Sequence, residues 1–331
     1  MRFFKLLLLF VSLNYFLIAN DDRPPIDHDF LAKKEVQSFI DMMVQKHHFK
    51  RSYMESILQN AKLDRDTLDR YTGRYVEGTT NGPWERYKAH VLDPLTLQKA
   101  KEFKNQYAGT LTRASREFDV PSEYIVGFIG VESKFGEYAG DYRILDALAT
   151  LAFHPNRMQG FFKSELKHLF LMVREQGYDI FRLQGSFAGA IGCVQQVPSV
   201  YRTFGMDYNK DGKKDPWDLE DCIGIIARFM HQNGWRNGLP AVVKTNFAGK
   251  RYYGIRPTHR YTYPIKILQK QGIYPIEPFR EPNAYLLLTR NATHDDLWLG
   301  GSNFRVLTRY NNAATYGIAI HLIAESVKQQ P

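Results

Sequence analysis

The sequence predicts a mainly α-helical fold with a small strand-containing region near its C-terminus. Residues 121–135, 158–176 and 216–233 repeat their apolar side chains with the period of an amphipathic helix. A glycine follows each segment, where a left-handed residue can end a helix; the three are Gly136, Gly177 and Gly234. The chain has 331 residues, 44% of them hydrophobic and 14% aromatic, which is enough for about two domains with a sizeable core.

The first residues have the pattern of a secretory signal peptide. Arg2 and Lys5 precede an apolar run over residues 6–19, and the charged residues 21–23 follow it. An uncleaved membrane anchor is the alternative, because the end of the run fits a cleavage site poorly. No Cys follows the run, which excludes a lipoprotein modification. We expect a periplasmic protein that contacts the membrane only if this segment stays uncleaved.

Four regions follow one another along the chain. They are residues 1–20, a signal peptide; 21–116, a helical region interrupted by turn-forming residues at 73–83; 117–245, a compact helical core; and 246–331, a small β-containing region with a last helix. In the last region the apolar segments 285–289 and 303–308 are candidate strands. The closing helix, predicted at residues 313–327, is expected to pack back on the N-terminal region.

The net charge of the chain indicates which partners it can attract. The 44 Lys and Arg residues outnumber the 35 Asp and Glu residues, giving a net charge of +9. This balance favours anionic partners, and export argues against nucleic acid.

Cys193 and Cys222 can form a disulfide in an oxidising compartment. Alternatively, Cys222 is a small core residue, because it shares an apolar helical face with Ile223.

Glu132 is the candidate catalytic acid. It continues the apolar helical face that Phe128 and Ile129 form. A carboxylate on such a face is disfavoured as an ion, so its pKa should rise toward the range in which it donates a proton near neutral pH. A glutamate at a helix end can also simply turn to solvent.

A second carboxylate facing Glu132 is not apparent. Most glycosidases pair two carboxyl groups about 5 to 10 Å apart. Glu137 and Asp141 are the nearest acids in sequence, but the helical pattern ends at Gly136, so neither shares the face of Glu132. We therefore expect a single acid.

A glycine-rich segment, GSFAGAIGCVQQVPS at residues 185–199, predicts turns in which the backbone approaches another group closely. Ser186 and Gln195 would supply neutral hydrogen-bonding groups for sugar hydroxyl and acetamido groups if they face the cleft of Glu132. A plain connection between helices is the alternative.

A calcium loop is predicted at residues 207–218, DYNKDGKKDPWD, which has the spacing of an EF-hand with glycine at position six. The expected ligands are Asp207, Asn209, Asp211, Lys213 through its carbonyl oxygen, Asp215 and Asp218. Aspartate at position twelve is shorter than the usual glutamate, which should weaken binding. A structural role is expected for the calcium ion, with an empty turn as the alternative.

These motifs together resemble the lytic murein transglycosylase B family. The resemblance runs from about residue 83 to the end and rests on IVGFIGVESKFG, RILDALATLAF, the glycine-rich segment, the calcium loop and TRYNNAATYGIAI. It implies a lysozyme-like helical core with no organic cofactor, acting as a monomer on peptidoglycan glycan strands. Other cell-wall enzymes are candidate partners.

The resemblance also implies a chemistry. Glu132 would protonate the oxygen that links N-acetylmuramic acid to N-acetylglucosamine and then, as a base, direct the C6 hydroxyl onto the anomeric carbon, leaving a 1,6-anhydro end. The positions that match the glycan cleft of the family are Ser186, Gln195, Tyr87, Arg157, Tyr310, Asn311 and Tyr316.

Several positions depart from the family pattern. They are Met158, Phe161, Gln196, Val197 and Phe229. These changes leave the acid in place and affect the expected substrate contacts. A hydrolytic muramidase of the same fold and a non-catalytic wall-binding protein are the alternative functions.

Overall fold

The computed structural model describes residues 30–72 and 83–328. The predicted signal peptide and nearly all of the turn-forming segment at 73–83 lie outside these residues. The helices are α1 Lys34–His47, α2 Arg51–Gln59, α3 Arg65–Thr72, α4 Pro83–Val91, α5 Pro94–Gln106, α6 Ala108–Phe118, α7 Ser122–Ser133, α8 Ile144–Phe153, α9 Gln159–Gln176, α10 Pro198–Phe204, α11 Leu219–Gln232, α12 Ile265–Lys270, α13 Ser302–Tyr310 and α14 Ala314–Val327, with a 3₁₀ turn at Phe30–Ala32. The strands are β1 Tyr142–Arg143, β2 Gln184–Gly185, β3 Val242–Lys244, β4 Thr258–Pro264, β5 Asn283–Arg290 and β6 Asp295–Gly300.

The mainly helical fold class is confirmed. The three periodic segments form α7, α9 and α11, and Gly177 caps α9 in the left-handed conformation as predicted, with φ of 71°. The other two caps differ from the prediction. Lys134 ends α7 at φ of 46°, and Asn233 ends α11 one residue before Gly234.

The chain divides into two compact units, each built from two stretches of sequence. Within the described residues, one unit contains 83–137 and 218–328, and the other contains 30–72 and 138–217. The boundaries at residues 117 and 245 stay a prediction. In the first unit α7 packs against α14, α5, α11 and α6. In the second, α8 and α9 pack together, with α3 against α8 and α10 against α9.

The contact between α7 and α14 depends on a missing side chain. A Cβ atom at Gly127 would lie 2.5 Å from the carbonyl oxygen of Ile320, closer than carbon and oxygen can approach without a shift of backbone. Glycine therefore lets the two helices lie close together. Ile125, Phe128 and Ile129 are fully buried around this contact, which fixes the C-terminal turn of α7.

A four-stranded antiparallel sheet in the first unit has the order β3-β6-β5-β4. The predicted strand at 285–289 is part of β5. The predicted strand at 303–308 is wrong, because this segment is helix α13. Its buried residues Phe304, Leu307 and Tyr310 recur three apart, so the helical period brings them to one side.

The closing helix α14 packs on α4 and α5.

In the second unit the glycine-rich segment begins at the short antiparallel ladder of β1 and β2. Gly140, at φ of 103°, lies so close to Gly185 that a Cβ atom there would be 2.1 Å from the Gly185 backbone. Over the described ranges, we find no helix with the length and apolar character needed to cross a bilayer.

Candidate active site

Glu132 lies in the last turn of α7, between the fully buried Ile129 and the helix end at Ser133. The residues that follow, Lys134 and Phe135, both have left-handed backbone, with φ of 46° and 65°. The chain therefore turns away directly after the acid. Glu132 as a whole residue keeps a partly exposed surface, but its carboxyl group is enclosed by protein atoms.

Burial of the carboxyl group raises the pKa of Glu132 to about 8. A hydrogen bond from the Tyr316 hydroxyl to Oε1 of Glu132 opposes this rise, because it stabilises the ionised form. Tyr316 lies in the first turn of α14 and is 2% exposed. Burial and the neighbouring Glu132 charge raise the pKa of Tyr316 well above its usual value, so the hydroxyl stays a donor.

Aromatic rings surround this pair. Tyr310 and Tyr316 are stacked with ring centroids 6.5 Å apart and planes 8° apart. Phe128 meets both rings edge to face, at 5.4 and 6.3 Å. Burial, followed by the charge of Glu132, raises the pKa of Tyr87 on α4, which places its hydroxyl in the electrostatic field of the same carboxyl group.

The carboxyl of Glu132 has no acidic neighbour acting on its pKa among the described residues, since burial and the Tyr316 hydrogen bond account for the shift. Glu137, the nearest acid of this unit in sequence, is exposed and pairs with Lys99. Near neutral pH this site therefore offers one carboxylic acid that still holds its proton.

The structure brings Glu132, Tyr87, Tyr310 and Tyr316 together in one compact unit. Asn311 follows α13 in the same unit, and its carbonyl oxygen accepts from Ala313 N–H at 2.8 Å. The aromatic surroundings include Phe128, which the sequence motifs did not single out as a site residue. Its signal was the apolar face that it shares with Glu132.

Ser186, Gln195 and Arg157 belong to the other unit. Ser186 is buried, and its hydroxyl oxygen accepts from Ala190 N–H at 3.0 Å. Gln195 has left-handed backbone at φ of 48°, and its amide donates to the carbonyl oxygens of Ala139 and Gly192. Its Oε1 is buried and lacks a hydrogen-bond partner in the described part of the chain. The exposed Arg157 guanidinium lies 5.8 Å from the centre of the Tyr71 ring.

The structure shows the packing or hydrogen bonding of two positions that depart from the family pattern. Phe229 packs edge to face on Tyr310, with centroids 4.9 Å apart. A tyrosine there would add a hydroxyl next to the rings around Glu132. Gln196 is 3% exposed, and its Oε1 also has no hydrogen-bond partner within the described residues.

The predicted calcium loop is a series of turns closed by its own acidic and amide side chains. Asp207 accepts from the N–H groups of Asp211 and Gly212 at 3.0 and 2.9 Å, and Asp211 accepts from Lys213 N–H at 2.8 Å. Asn209 accepts from Asp211 N–H at 3.0 Å. The loop thus gathers oxygen donors, which a hard cation such as calcium prefers.

The last two expected ligands bond to residues nearer to α11. Asp215 accepts from Trp217 N–H at 2.8 Å, and Asp218 caps α11 by accepting from the N–H groups of Glu220 and Asp221. Within the described ranges no three acidic, histidine or cysteine side chains converge as a metal site.

Both cysteines, Cys193 and Cys222, are disulfide-bonded.

Comparison with known proteins decides the family. The model of the transglycosylase SLT domain matches residues 31–325, nearly the whole described chain. The chain belongs to the transglycosylase SLT domain family. It is 36% identical, over 307 residues, to membrane-bound lytic murein transglycosylase B of Escherichia coli strain K12, covering 90% of this chain and 84% of that protein.

Solved structures of this family share the fold. The Escherichia coli lytic transglycosylase SLT35 in complex with bulgecin A is 37% identical, with a TM-score of 0.83, covering 91% of this chain and 94% of that one. The same enzyme in complex with calcium is 36% identical, with a TM-score of 0.83 and the same coverage. The SLT domain family is therefore shown by sequence and by fold, and these relatives are peptidoglycan-cleaving enzymes.

Proposed function

We propose that this protein cleaves the β-1,4 bond between N-acetylmuramic acid and N-acetylglucosamine in peptidoglycan without water, leaving 1,6-anhydro ends, with Glu132 as acid and then base. One observation carries the proposal: the Glu132 carboxyl has a raised pKa, a hydroxyl donor on one oxygen and no acidic neighbour that shifts its pKa within the described residues. Membership of the SLT domain family supports the reaction class.

The acid step uses the proton that Glu132 keeps near neutral pH. Glu132 donates it to the glycosidic oxygen while the bond from that oxygen to the anomeric carbon breaks, and the N-acetylglucosamine chain leaves with a new hydroxyl. Glu132 becomes a carboxylate. The Tyr316 hydroxyl stabilises this new charge by hydrogen bonding, and it also holds the carboxyl group in one orientation.

The base step returns the proton. The Glu132 carboxylate takes the proton of the C6 hydroxyl of the muramic sugar, whose oxygen bonds to the anomeric carbon of the same ring. Glu132 ends the cycle protonated, as it began. Because the attacking hydroxyl belongs to the substrate, the reaction needs no second carboxylate to activate water or to form a covalent intermediate.

The cleft residues carried over from the family supply binding rather than proton transfer. Tyr87, Tyr310 and Tyr316 combine an apolar ring with a hydroxyl, which suits sugar rings. Ser186, Gln195, Arg157 and Asn311 offer polar groups for hydroxyl, acetamido and lactyl groups. The buried Oε1 of Gln195 lacks a hydrogen-bond partner among the described residues, so it would bind a sugar N–H or O–H group only after a local shift that exposes it.

We further propose that the oxygen-rich loop from Asp207 to Asp218 binds calcium in a structural role. Its expected ligands remain Asp207, Asn209, Asp211, Lys213, Asp215 and Asp218. When bound, the cation would neutralise the clustered carboxylates and stiffen the connection that leads into α11. A family member solved with calcium supports this proposal.

The site of action that fits this substrate is the periplasm. Peptidoglycan lies outside the cytoplasmic membrane, and the N-terminal residues have the pattern of an export signal. Monomeric action on glycan strands, with other cell-wall enzymes as partners, stays part of the proposal.

The substitution Glu132→Gln tests the proposal. The amide keeps the shape of the side chain but carries no transferable proton, so release of anhydro-muropeptides from purified sacculi should fall by about a hundredfold or more. Mass spectrometry of the products measures this, since anhydro products are lighter than hydrolytic ones by one water. Glu137→Gln is the matched control and should release as much as the unmodified protein. Products with reducing ends would indicate a muramidase, and undiminished release by Glu132→Gln would exclude the assigned acid.

A further inference from the structure

Residues 244–276 form a long stretch of sequence without a single acid. The stretch contains seven Lys and Arg residues and five Tyr residues, but no Asp or Glu. The cations are Lys244, Lys250, Arg251, Arg256, Arg260, Lys266 and Lys270. In a chain where acids are four-fifths as numerous as cations, such a segment concentrates positive charge in one part of the fold.

Most of these charges are exposed and uncompensated. Lys244 pairs with Asp296 and Arg251 with Asp295. The remaining five are partly or fully exposed, and none has an acidic partner in the described part of the chain; we call them, with the tyrosines among them, the basic strip. Free guanidinium and ammonium groups at a surface create a positive field that attracts an anionic polymer.

Arg260, Tyr261 and Tyr263 of the basic strip lie on the edge strand β4, whereas Lys250 and Arg256 precede this strand and Lys266 and Lys270 lie on α12. The last strand in the sheet order, β4, is flanked on one side only, by β5. Charged residues such as Arg260 commonly protect such an edge from pairing with another chain, but they do not explain the exposed rings beside them. Tyr253 is 88% exposed and Tyr261 is 49% exposed. Tyrosine rings of this kind suit the faces of sugars, because each joins an apolar surface to a hydroxyl.

A hydrogen-bonded contact links β4, which carries Arg260 and Tyr261, to the turn that follows Asn311. Nε2 of His259 on β4 lies 3.1 Å from Oδ1 of Asn312. Asn312 stands in the turn between α13 and α14, directly after Asn311, and α14 begins with the turn that carries Tyr316. A strand of about seven residues extends roughly 20 Å from this turn. The geometry therefore suits a long polymer that leaves the site rather than a small molecule.

We propose that the basic strip is a second binding surface for peptidoglycan, which holds the uncleaved part of the strand outside the catalytic site. This inference rests on the proposed function. Arg256 and Arg260 bind the lactyl and peptide carboxylates of the polymer, and Tyr253 and Tyr261 contact its sugar rings. The same surface chemistry could fit an anionic lipid headgroup, but the contact with the turn after Asn311 favours the substrate polymer.

Binding to purified sacculi tests this surface without turnover. The full chain carrying Glu132→Gln is mixed with sacculi, and the free protein is measured after sedimentation. Adding Arg256→Glu and Arg260→Glu should weaken binding about tenfold, because four unit charges change in an electrostatic contact. Arg256→Lys with Arg260→Lys should retain most of the binding. Tyr253→Ala with Tyr261→Ala should weaken binding even at 1 M salt, where the screening length is about 3 Å.

The control variant carries the same charge change elsewhere. Lys34→Glu and Arg305→Glu replace exposed cations on α1 and α13, and binding should change by less than about twofold. Thermal melting verifies that each variant folds. Equal binding by the Arg256 and Arg260 double variant and its parent would overturn the proposal, as would equal loss in the control. Stronger retention on phosphatidylglycerol vesicles than on sacculi would assign the basic strip to a lipid surface instead.

The binding experiment and the catalytic experiment fail in different ways. If the unmodified protein releases no anhydro products, the proposed function is wrong, yet sedimentation still reports whether the basic strip binds the polymer. If products form but the double variant binds normally, the function stands and the surface is wrong.

Discussion

The carboxyl of Glu132 is subject to two opposing effects. Burial raises its pKa because the ionised form loses its hydration, and the Tyr316 hydroxyl lowers it by donating a hydrogen bond to that form. Burial is the larger effect, so the group holds its proton up to a pH of about 8. The first step of cleavage needs the protonated acid, and the second needs the carboxylate that the first step produces. One residue with this pKa can serve both.

Removing the Tyr316 hydroxyl should change the pH dependence of cleavage. Tyr316→Phe removes the interaction that lowers the Glu132 pKa, so that pKa should rise. The rate should fall as pH increases through the pKa of the acid, and this fall should therefore occur at higher pH in the variant. The maximal rate should also drop, by about tenfold or more, because the carboxyl loses its orientation.

Rates of muropeptide release between pH 5 and pH 10 measure this effect. Tyr124→Phe is the control, since Tyr124 lies on α7 with Glu132 but its hydroxyl bonds His321 on α14 rather than the acid. An unchanged alkaline limb in Tyr316→Phe would contradict the role given to this hydrogen bond.

The position of Glu132 depends on how closely α7 and α14 pack. Gly127 allows the backbone of α14 at Ile320 to approach, and Tyr316 on that helix then reaches Oε1 of Glu132. Both helices were predicted from the sequence, α7 by its apolar periodicity and α14 as the closing helix of the chain. Their contact did not follow from periodicity, because the pattern records which face is buried and not what covers it.

A methyl group at Gly127 should therefore disturb stability and activity together. In Gly127→Ala the added Cβ would meet the Ile320 carbonyl oxygen, and overpacking of this kind costs about 1 to 3 kcal/mol. We expect Tm to fall by about 2 to 10 °C and product release to fall with it.

Gly109→Ala is the comparison for this variant, because a Cβ there meets no atom within 4 Å and alanine favours the helix α6. Its Tm should stay the same or rise. A Gly127→Ala protein that melts like the parent and cleaves normally would show that the close approach of α7 and α14 is not needed.

At the scale of the whole molecule, calcium binding to the loop should increase the stability of the folded protein. A ligand that binds only the native protein raises the free energy of unfolding by an amount set by its concentration relative to its Kd, about 2.7 kcal/mol at a hundredfold excess. The loop precedes α11, whose residues Cys222, Ile223 and Ile226 are buried. Stiffening this connection should therefore be felt by the core of the protein.

Chelation should lower the melting temperature. Differential scanning calorimetry with EGTA, compared with millimolar calcium, should give a Tm lower by about 5 °C or more. Asp211→Ala removes one expected ligand and should abolish the difference between the two conditions. Equal melting of the unmodified protein with and without calcium would exclude the site.

Some residues of the candidate active site could be predicted from the local sequence pattern, and others could not. Glu132, its apolar helical face and the lack of a facing acid in the nearby sequence follow from residues within a few turns of one helix. The tyrosines at 310 and 316 were expected from resemblance to a family and not from local pattern. Phe128 was visible only as an apolar residue, although it packs against both of these rings.

The sequence by itself determined the helical class, the acid that continues the apolar face of α7 and the spacing of the oxygen donors from Asp207 to Asp218. These features depend on periods and spacings of a few residues, which the backbone geometry of a helix or a turn imposes locally. The tertiary structure decided that residues 302–310 are a helix, that Tyr316 donates to Glu132 across 184 positions and that the exposed edge of the sheet adjoins the turn after Asn311. Such contacts depend on which buried faces meet, and a single local segment does not contain that information.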